Sequence, residues 1–169
     1  MQRVVIVGPG GAGKSTLARE LGTRTGLPVI HLDRLYWKPG WVEPPLEEFR
    51  AKQATALAGN EWIVDGNYSG SADLRLPRAD VILVLNFNPV RCIARVARRT
   101  WRSRGQDTQA PGCPDKLDWQ FVKWIFTYRR KAWVRMHAAI SQYAPDTPVV
   151  TLKTPRSVRR YVASIPGSP

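Results

Sequence analysis

The sequence predicts an α/β protein built on a doubly wound parallel sheet of five strands. Two observations favour this fold class. Short apolar runs rich in β-branched residues recur along the chain, and most of the segments between them carry apolar residues at helical spacing. The first run leads directly into a glycine-rich turn and a helical pattern, as at the start of a βαβ unit. The 169 residues, 43% of them apolar, suit one globular domain spanning residues 1–169.

The predicted strands are five apolar runs that suit a sheet buried on both faces. They cover residues 4–7, 29–32, 62–64, 81–85 and 148–152. The helices between them are predicted from three- and four-residue apolar spacing and from the bounding proline, glycine and capping residues. The first begins at Lys14 and ends at Gly26, and the last begins at Thr154-Pro155.

Three further helices are predicted from their apolar faces. These faces are Leu46, Phe49 and Leu57; then Val90, Ile93, Ala94, Ala97 and Trp101; then, in one long helix, Leu117, Phe121, Ile125, Tyr128 and Ala132. A second apolar stripe on the long helix contains Trp119, Val122, Phe126 and Trp133. That stripe needs a partner, either a lid or another subunit, so the oligomeric state stays open.

The charge divides the chain into two parts. Residues 1–90 hold 10 basic and 9 acidic residues, whereas residues 91–169 hold 16 and 4, and the whole chain carries +13. Of the 26 basic residues 19 are arginine, which favours bidentate recognition of phosphate. A nucleic acid, a membrane surface and a nucleoside triphosphate all fit this excess. Charge alone therefore does not choose among these partners.

The apolar runs limit the class of protein further. None approaches the roughly 20 residues of a membrane-spanning helix. The start of the chain lacks the apolar segment of a secretory signal, so we expect a cytoplasmic protein without a membrane partner. Cys92 and Cys113 are too few for a disulfide framework and are expected to be free, buried thiols.

Residues 8–15 carry the clearest chemical signal. They read Gly-Pro-Gly-Gly-Ala-Gly-Lys-Ser, the pattern of a phosphate-binding P-loop, for which about 0.004 matches are expected by chance at this composition. Glycines let successive N–H groups face a phosphate, Lys14 can reach the β- and γ-phosphates, and the Ser15 hydroxyl can bind Mg²⁺. The predicted nucleotide contacts are Gly8, Gly10, Gly11, Ala12, Gly13, Lys14, Ser15 and Thr16. The alternative is a glycine-rich turn with a solvated lysine.

Two aspartates end predicted strands, at the edge where ligands sit in such folds. Asp65 follows the third strand and is predicted to hold Mg²⁺ directly or through water; a turn aspartate before Gly66 is the alternative. Asp33 follows the second strand and is expected to orient or deprotonate an acceptor hydroxyl or amine. A helix-capping or turn role is the alternative for Asp33.

A row of arginines marks the third predicted helix, whose apolar face begins at Val90. It contains Arg91, Arg95, Arg98, Arg99 and Arg102. Cations on one face suit the transferring group of a phosphoryl-transfer reaction, and Arg129 or Arg130 could complete a closing clamp. A solvated basic face is the simpler alternative. A nucleic-acid backbone is the competing partner, with tryptophans that could stack bases.

The tryptophans divide by position. Trp62, Trp101 and Trp124 fall at apolar-periodic or strand positions and are expected in the core. Trp37 and Trp41 lie outside any apolar period. They are expected to line a pocket for a planar or apolar acceptor, or else to form a satellite cluster under a loop.

Several blocks together resemble the small P-loop proteins described as DNA topology modulation proteins, which are relatives of adenylate kinase. The blocks are residues 31–37 (HLDRLYW), 39–41 (PGW), 62–69 (WIVDGNYS) and 112–116 (GCPDK), with Asp118-Trp119. The resemblance runs from the first strand to about residue 155. It implies a nucleoside-monophosphate-kinase-type fold with a short lid near residues 100–117 and an acceptor-binding segment near 34–60.

The resemblance also implies an activity and site residues. The activity is Mg²⁺- and ATP-dependent phosphoryl transfer to a small acceptor, a nucleoside, nucleotide or similar compound. Lys14, Asp65, Arg95, Arg99 and one of Arg129 or Arg130, here Arg130, match the family's catalytic positions. Adenylate kinases have Asp-Gly-Phe-Pro-Arg where this chain has Asp65-Gly66-Asn67-Tyr68-Ser69. Arg75 or Arg78 is the candidate to replace that missing acceptor arginine, with Asp33 and Trp37 beside it.

Two alternatives to a small-molecule kinase remain open at this stage. One is a nucleic-acid-associated ATPase, as the name of the family suggests. The other is an ATP-binding regulator without turnover, because binding motifs do not report a rate.

Overall fold

The computed structural model describes residues 1–103, 106–107, 110–114, 118–128 and 130–167. Its centre is a five-stranded sheet in the order β2-β3-β1-β4-β5. The strands are β1 (Arg3–Val7), β2 (Val29–His31), β3 (Trp62–Asp65), β4 (Val81–Leu85) and β5 (Val149–Leu152). Every neighbouring pair is parallel, which confirms the predicted parallel sheet.

Helices follow the strands in alternation. The described α-helices are α1 (Lys14–Thr25), α2 (Leu32–Tyr36), α3 (Leu46–Ala56), α4 (Pro89–Ser103), α5 (Trp119–Thr127), α6 (Ala132–Tyr143) and α7 (Pro155–Ser164). Two 3₁₀ segments, Ser69–Leu74 and Leu76–Arg78, connect β3 to β4. The sequence patterns did not predict α2 or the 3₁₀ segments, because each is too short for an apolar period.

The sheet is covered on both faces. Alternate residues of β1 enter opposite cores: Val4 and Ile6 pack with α1, α4, α5 and α7, whereas Val5 and Val7 pack with α3, α6 and the 3₁₀ segments. Burial on both faces explains why the strands read as continuous apolar runs rather than alternating ones. The doubly wound prediction is therefore confirmed.

Helix α4 presents a different face to the core from the one predicted. Cys92 and Val96 are buried with Ser103, whereas Val90 and Trp101 are exposed. Helix α4 packs on the glycine-rich loop through Cys92 and Val96, so closely that a Cβ at Gly11 would collide with both. Trp101 lies five residues beyond Val96, about 140° around the helix, and is therefore on the opposite side.

The predicted long helix is two helices, α5 and α6. Ile125 and Tyr128 are buried as predicted, but Leu117 lies outside the described residues. Ile125 of α5 packs on one face of the sheet and Met136 of α6 on the other. One straight helix cannot cover both faces, so the chain breaks between them. The predictions placing Leu46 and Trp124 in the core are wrong, because both side chains are exposed.

Two simpler expectations can be compared directly with the fold. Cys92 and Cys113 are both buried thiols that form no disulfide, as predicted. Within the described part of the chain, no helix has the length and apolar character needed to cross a membrane.

The orientation of α4 gives a testable prediction. Trp101 is 79% exposed and Trp62 is 1% exposed. Trp101→Ala should change the free energy of unfolding by no more than about 0.5 kcal/mol. Trp62→Ala should lower it by about 3–5 kcal/mol, since it removes a buried aromatic side chain. Urea titration of both variants measures this difference, and an equal loss in the two would contradict the observed orientation of α4.

Candidate active site

The glycine-rich loop between β1 and α1 curls because its glycines adopt positive φ. The φ values are 151° at Gly8, 74° at Gly11 and 95° at Gly13. These conformations are strained for residues with a Cβ. Gly13 is the N-cap of α1 and supplies no side-chain cap, so the first N–H groups of the helix can serve an anion. The conformation is that of a phosphate-binding loop, with the Lys14 ammonium donating to the Pro9 carbonyl oxygen at 3.2 Å.

Strands β2 and β3 bring two polar side chains together beside this loop. Their register pairs His31 with Asp65 at the carboxyl end of the sheet. The Asp65 carboxylate is 3% exposed, accepts a hydrogen bond from the Ser15 hydroxyl at 2.6 Å, and lies 2.5 Å from His31 Nδ1. Because an ionised carboxylate only accepts, the His31 tautomer that fits carries its proton on Nδ1. Hydroxyl and carboxylate oxygens are ligands that suit Mg²⁺.

Asp33 lies on the same side of the molecule, in the first turn of α2. The Tyr68 hydroxyl donates to Asp33 Oδ1 at 2.7 Å. Burial, followed by the charge of Asp33, raises the pKa of Tyr68 well above its usual value, so the phenol remains a neutral donor. Tyr68 has φ 27°, an uncommon conformation for a residue with a side chain.

Asn67 joins the loop after β3 to the glycine-rich loop. Its side-chain amide accepts from the Gly8 N–H at 3.0 Å and donates to the Gly8 carbonyl oxygen at 2.9 Å. The Tyr128 hydroxyl, just after α5, also donates to the Asn67 side-chain oxygen at 3.0 Å. The amide thus fixes the start of the loop and connects it to the end of α5.

Arg75 does not occupy the position that the sequence suggested. Its side chain is 0% exposed, and its guanidinium donates to the backbone carbonyl oxygens of Asn67, Tyr68 and Ser71. Burial lowers its pKa to about 10. Arg75 therefore holds the loop that carries Asn67 and Tyr68. Its guanidinium is buried in these backbone hydrogen bonds and not exposed to a substrate. Arg78 is likewise bound to the Leu57 and Gly59 carbonyl oxygens.

The arginines of α4 are divided between two environments. Arg95 and Arg99 are half-buried, whereas Arg91, Arg98 and Arg102 are exposed. The Arg95 guanidinium donates to the Ala12 carbonyl oxygen at 3.2 Å. A Cβ at Gly13 would lie 2.8 Å from its Nη2. Burial lowers the pKa of Arg95, an effect reinforced by the neighbouring positive charges of Arg91 and Arg98.

A cleft of about 120 Å³ lies on the outer side of the glycine-rich loop. Its lining includes Gly13, Thr16, Phe87, Arg95 and Pro155. It joins the phosphate-binding loop to the region between β5 and α7.

Helix α5 lies directly over the loop. Phe121 and Trp124 are stacked, with ring centroids 5.8 Å apart and planes 8° apart. A Cβ at Gly10 would lie 2.7 Å from Phe121 and 3.1 Å from Trp124. Gly10 is thus required by a close approach of aromatic rings. Beyond α5, Arg130 is exposed, and Arg129 lies outside the described residues.

The segment predicted as a lid contacts the segment predicted to bind the acceptor. The Gly40 N–H donates to the Gly112 carbonyl oxygen at 2.8 Å, and Trp41 Nε1 donates to the Pro114 carbonyl oxygen at 3.1 Å. The Cys113 thiol donates to the Lys38 carbonyl oxygen at 3.3 Å. These contacts join the two segments on the Asp33 side of the sheet.

Half-buried Trp37 lies within a cluster of five rings, which we call the aromatic cluster. It comprises Tyr36, Trp37, Trp41, Phe49 and Tyr68. Sequence reasoning missed His31, Asn67 and Tyr68 as site residues. A signal existed for His31, because it ends a strand as Asp65 does. The other two depend on the conformation of the loop after β3, which has no periodic pattern.

Comparison with known proteins gives similarity at the level of structure. Neither the protein-family models nor the curated proteins include a match to this chain. An unliganded sugar kinase from Janibacter sp. HTCC2649 superposes with a TM-score of 0.54 and 14% identity, covering 96% of this chain and 93% of that one. Shikimate kinase from Acinetobacter baumannii, in complex with shikimate, superposes with a TM-score of 0.55 and 16% identity, covering 96% of this chain and 89% of that one.

At these identities the likeness concerns the fold. Both neighbours are kinases, and the chain shares their arrangement over nearly its whole length. The glycine-rich loop, the strand order 2-3-1-4-5 and the flanking helices agree with this assignment. The protein has a P-loop α/β fold of the nucleoside-monophosphate-kinase type.

Proposed function

We propose that this protein is a phosphotransferase that uses Mg²⁺ and ATP and transfers the γ-phosphoryl group to a small acceptor. One observation carries the proposal. The P-loop, the hydrogen-bonded Ser15 and Asp65 pair and the Asp33 carboxylate lie at the carboxyl end of the same sheet. A loop for phosphates beside a carboxylate for an acceptor is the arrangement that phosphoryl transfer requires.

The P-loop side would bind the nucleotide. The backbone N–H groups of residues 8–15 and the Lys14 ammonium suit the phosphates, and Thr16 lies in the adjoining cleft. Ser15 and Asp65 offer oxygen ligands for Mg²⁺, directly or through water. Bound Mg²⁺ supplies positive charge where negative charge develops on the transferring group.

The remaining site residues would act on the transferring group and the acceptor. Arg95, held over Gly13, is suited to the nucleotide phosphates, and Arg99 lies one turn further along α4. Arg130 is proposed to complete the clamp from the segment after α5. Asp33 would accept the proton of the acceptor's attacking group.

Several broader expectations belong to the same proposal. They are one domain over residues 1–169, an acceptor segment near 34–60, a lid near 100–117 and a cytoplasmic location. Membership of the DNA topology modulation proteins is also part of it and is supported by the residue blocks between 31 and 119.

A nucleic-acid-associated ATPase is a second candidate, favoured by one observation. The outward side of α4 carries Arg91, Arg98, Arg102 and the exposed Trp101. No ion pair among the described residues involves these three arginines. Unpaired cations beside an exposed ring suit a single-stranded nucleic acid.

The P-loop lysine gives the first test of the phosphotransferase proposal. Lys14→Ala should lower ADP release from Mg²⁺-ATP by about 10²-fold or more, because a contact with the transferring group is lost. The assay is ADP release in the presence of a panel of nucleosides, nucleoside monophosphates, sugars and small alcohols.

Arg135→Ala is the control. Arg135 is an exposed basic residue on α6, outside the P-loop, the proposed acceptor segment and the proposed lid. It should retain wild-type turnover. Near-normal turnover of Lys14→Ala would refute the phosphotransferase assignment.

A pair of arginines on α4 separates the two candidate functions. Arg95 lies on the P-loop, and Arg98 is exposed on the same helix. If the protein is a phosphotransferase, Arg95→Ala should lower kcat/KM by about 10²-fold, and Arg98→Ala should leave it unchanged. Both variants should keep the wild-type melting temperature within a few degrees.

The second candidate predicts the opposite order. Arg98→Ala should then weaken binding of a labelled single-stranded oligonucleotide and reduce the slope of log affinity against log salt concentration. Unchanged kcat/KM in Arg95→Ala together with that loss would favour the nucleic-acid-associated ATPase over the small-molecule kinase.

A further inference from the structure

The segment of residues 31–80, which contains Asp33 and the predicted acceptor segment, has a charge balance opposite to that of residues 91–169. Residues 31–80 contain eight acidic and six basic residues, whereas residues 91–169 contain four and sixteen. An anionic acceptor, such as a phosphate ester or a carboxylate, needs cations that can reach it. The question is therefore whether the six basic residues of this segment are available.

Most of those cations are already engaged. Arg50 makes two hydrogen bonds to Asp73, at 2.8 and 2.7 Å, and both Lys38 and Lys52 pair with Glu48. Arg75 is buried beneath backbone carbonyl oxygens, and Arg78 is bound to two more. Arg34 is exposed on α2 and is therefore the basic residue of this segment whose binding of an anionic acceptor should be tested.

What the acceptor side does offer is a carboxylate with a fixed orientation. Tyr68 donates to Asp33 Oδ1 and leaves Oδ2 for a second donor. A carboxylate accepts hydrogen bonds, so Oδ2 suits a donor such as the hydroxyl group of an acceptor. The raised pKa of Tyr68 keeps this phenol protonated throughout the physiological range.

The second feature of this side is the aromatic cluster. The Tyr36 ring lies 4.7 Å from the Tyr68 ring and 4.9 Å from the Trp37 ring, and Trp37 lies 5.3 Å from Trp41. Phe49 is buried, but the two indoles are half-buried and form the more open end of the cluster. Exposed faces of such rings pack on the C–H face of a sugar or on a flat base.

We propose that the phosphoryl acceptor is an uncharged hydroxyl compound, either a sugar or polyol or a nucleoside, with Tyr68 as the positioning residue for Asp33. This proposal rests on the phosphotransferase function. The acceptor hydroxyl donates to Asp33 Oδ2, and its carbon framework packs against Trp37.

The reaction balances with ATP as the second substrate. The acceptor oxygen forms a bond to the γ-phosphorus while the bond from that phosphorus to the β–γ bridging oxygen breaks. The hydroxyl proton passes to Asp33, and ADP leaves with the electron pair of the broken bond. Tyr68 contributes by holding Asp33 in the orientation that receives the proton.

Matched pairs of acceptors test the proposal. Ribose, glycerol and adenosine are compared with ribose 5-phosphate, glycerol 3-phosphate and adenosine 5′-monophosphate, by ADP release and by mass of the product. One uncharged member should have a kcat/KM at least about 10-fold above that of its ester. The sugar, polyol and nucleoside arms identify which source supplies the hydroxyl.

The alternative outcomes have separate meanings. Preference for an ester, abolished by Arg34→Gln, would overturn the proposed acceptor class and leave the phosphotransferase intact. If no compound of either set raises ADP release above that of Lys14→Ala, the phosphotransferase function itself fails, and this proposal fails with it.

Variants test the role of Tyr68. Tyr68→Phe keeps the ring in the aromatic cluster and removes only the donor to Asp33. It should lower kcat about 10-fold with the preferred acceptor and leave KM for ATP unchanged. Trp37→Leu should instead raise KM for the acceptor. Tyr161→Phe, on α7, is the control and should match the wild type.

Asp33→Asn provides the stronger change, because an amide does not accept the proton. It should lower kcat by at least about 10²-fold with ATP affinity retained. Wild-type kcat in either Tyr68→Phe or Asp33→Asn, with the melting temperature unchanged, would overturn the proposed roles.

Discussion

The hydrogen bonds of the buried Asp65 carboxylate with Ser15 and His31 organise the rest of the site. At 3% exposure the carboxylate needs polar partners, and Ser15 and His31 provide them. Because parallel strands end at a common edge, the register that pairs His31 with Asp65 also brings both beside the P-loop. The same edge carries Asp33, in the first turn of α2, which follows β2 directly. The sheet thus fixes the relation between the nucleotide side and the acceptor side.

A second constraint is the close packing around the glycines. Helix α4 approaches Gly11, and Phe121 of α5 approaches Gly10. With α4 packed on the loop in this way, the Arg95 guanidinium donates to a carbonyl oxygen of the loop. The acceptor side is organised differently, by buried Arg75, which holds the backbone that carries Asn67 and Tyr68.

Local patterns were sufficient to predict the strands, the P-loop and the acidic residues at strand ends, because each follows from a few adjacent residues. Packing that depends on distant segments was not predictable. The apolar period of α4 suggested that Trp101 is buried, but the helix packs on the glycine-rich loop through Cys92 and Val96, and Trp101 is exposed. Arg75 was predicted to serve a phosphoryl acceptor. Its burial was not predictable, because a guanidinium buried under backbone carbonyl oxygens has no sequence signature. The positions of Asn67 and Tyr68 likewise depend on a loop of irregular conformation.

In the proposed function, Ser15 and Asp65 form the metal-dependent part of a nucleotide site. The most direct measurement is the affinity for ATP by calorimetry as a function of Mg²⁺ concentration, in the wild type and in Asp65→Asn, with exposed Asp146→Asn as the control. If Asp65 holds the metal, the Mg²⁺ concentration that gives half of the metal-dependent gain in ATP affinity should be about 10-fold or more higher in Asp65→Asn than in the wild type. The control should match the wild type. The same Mg²⁺ dependence in all three proteins would contradict the claim.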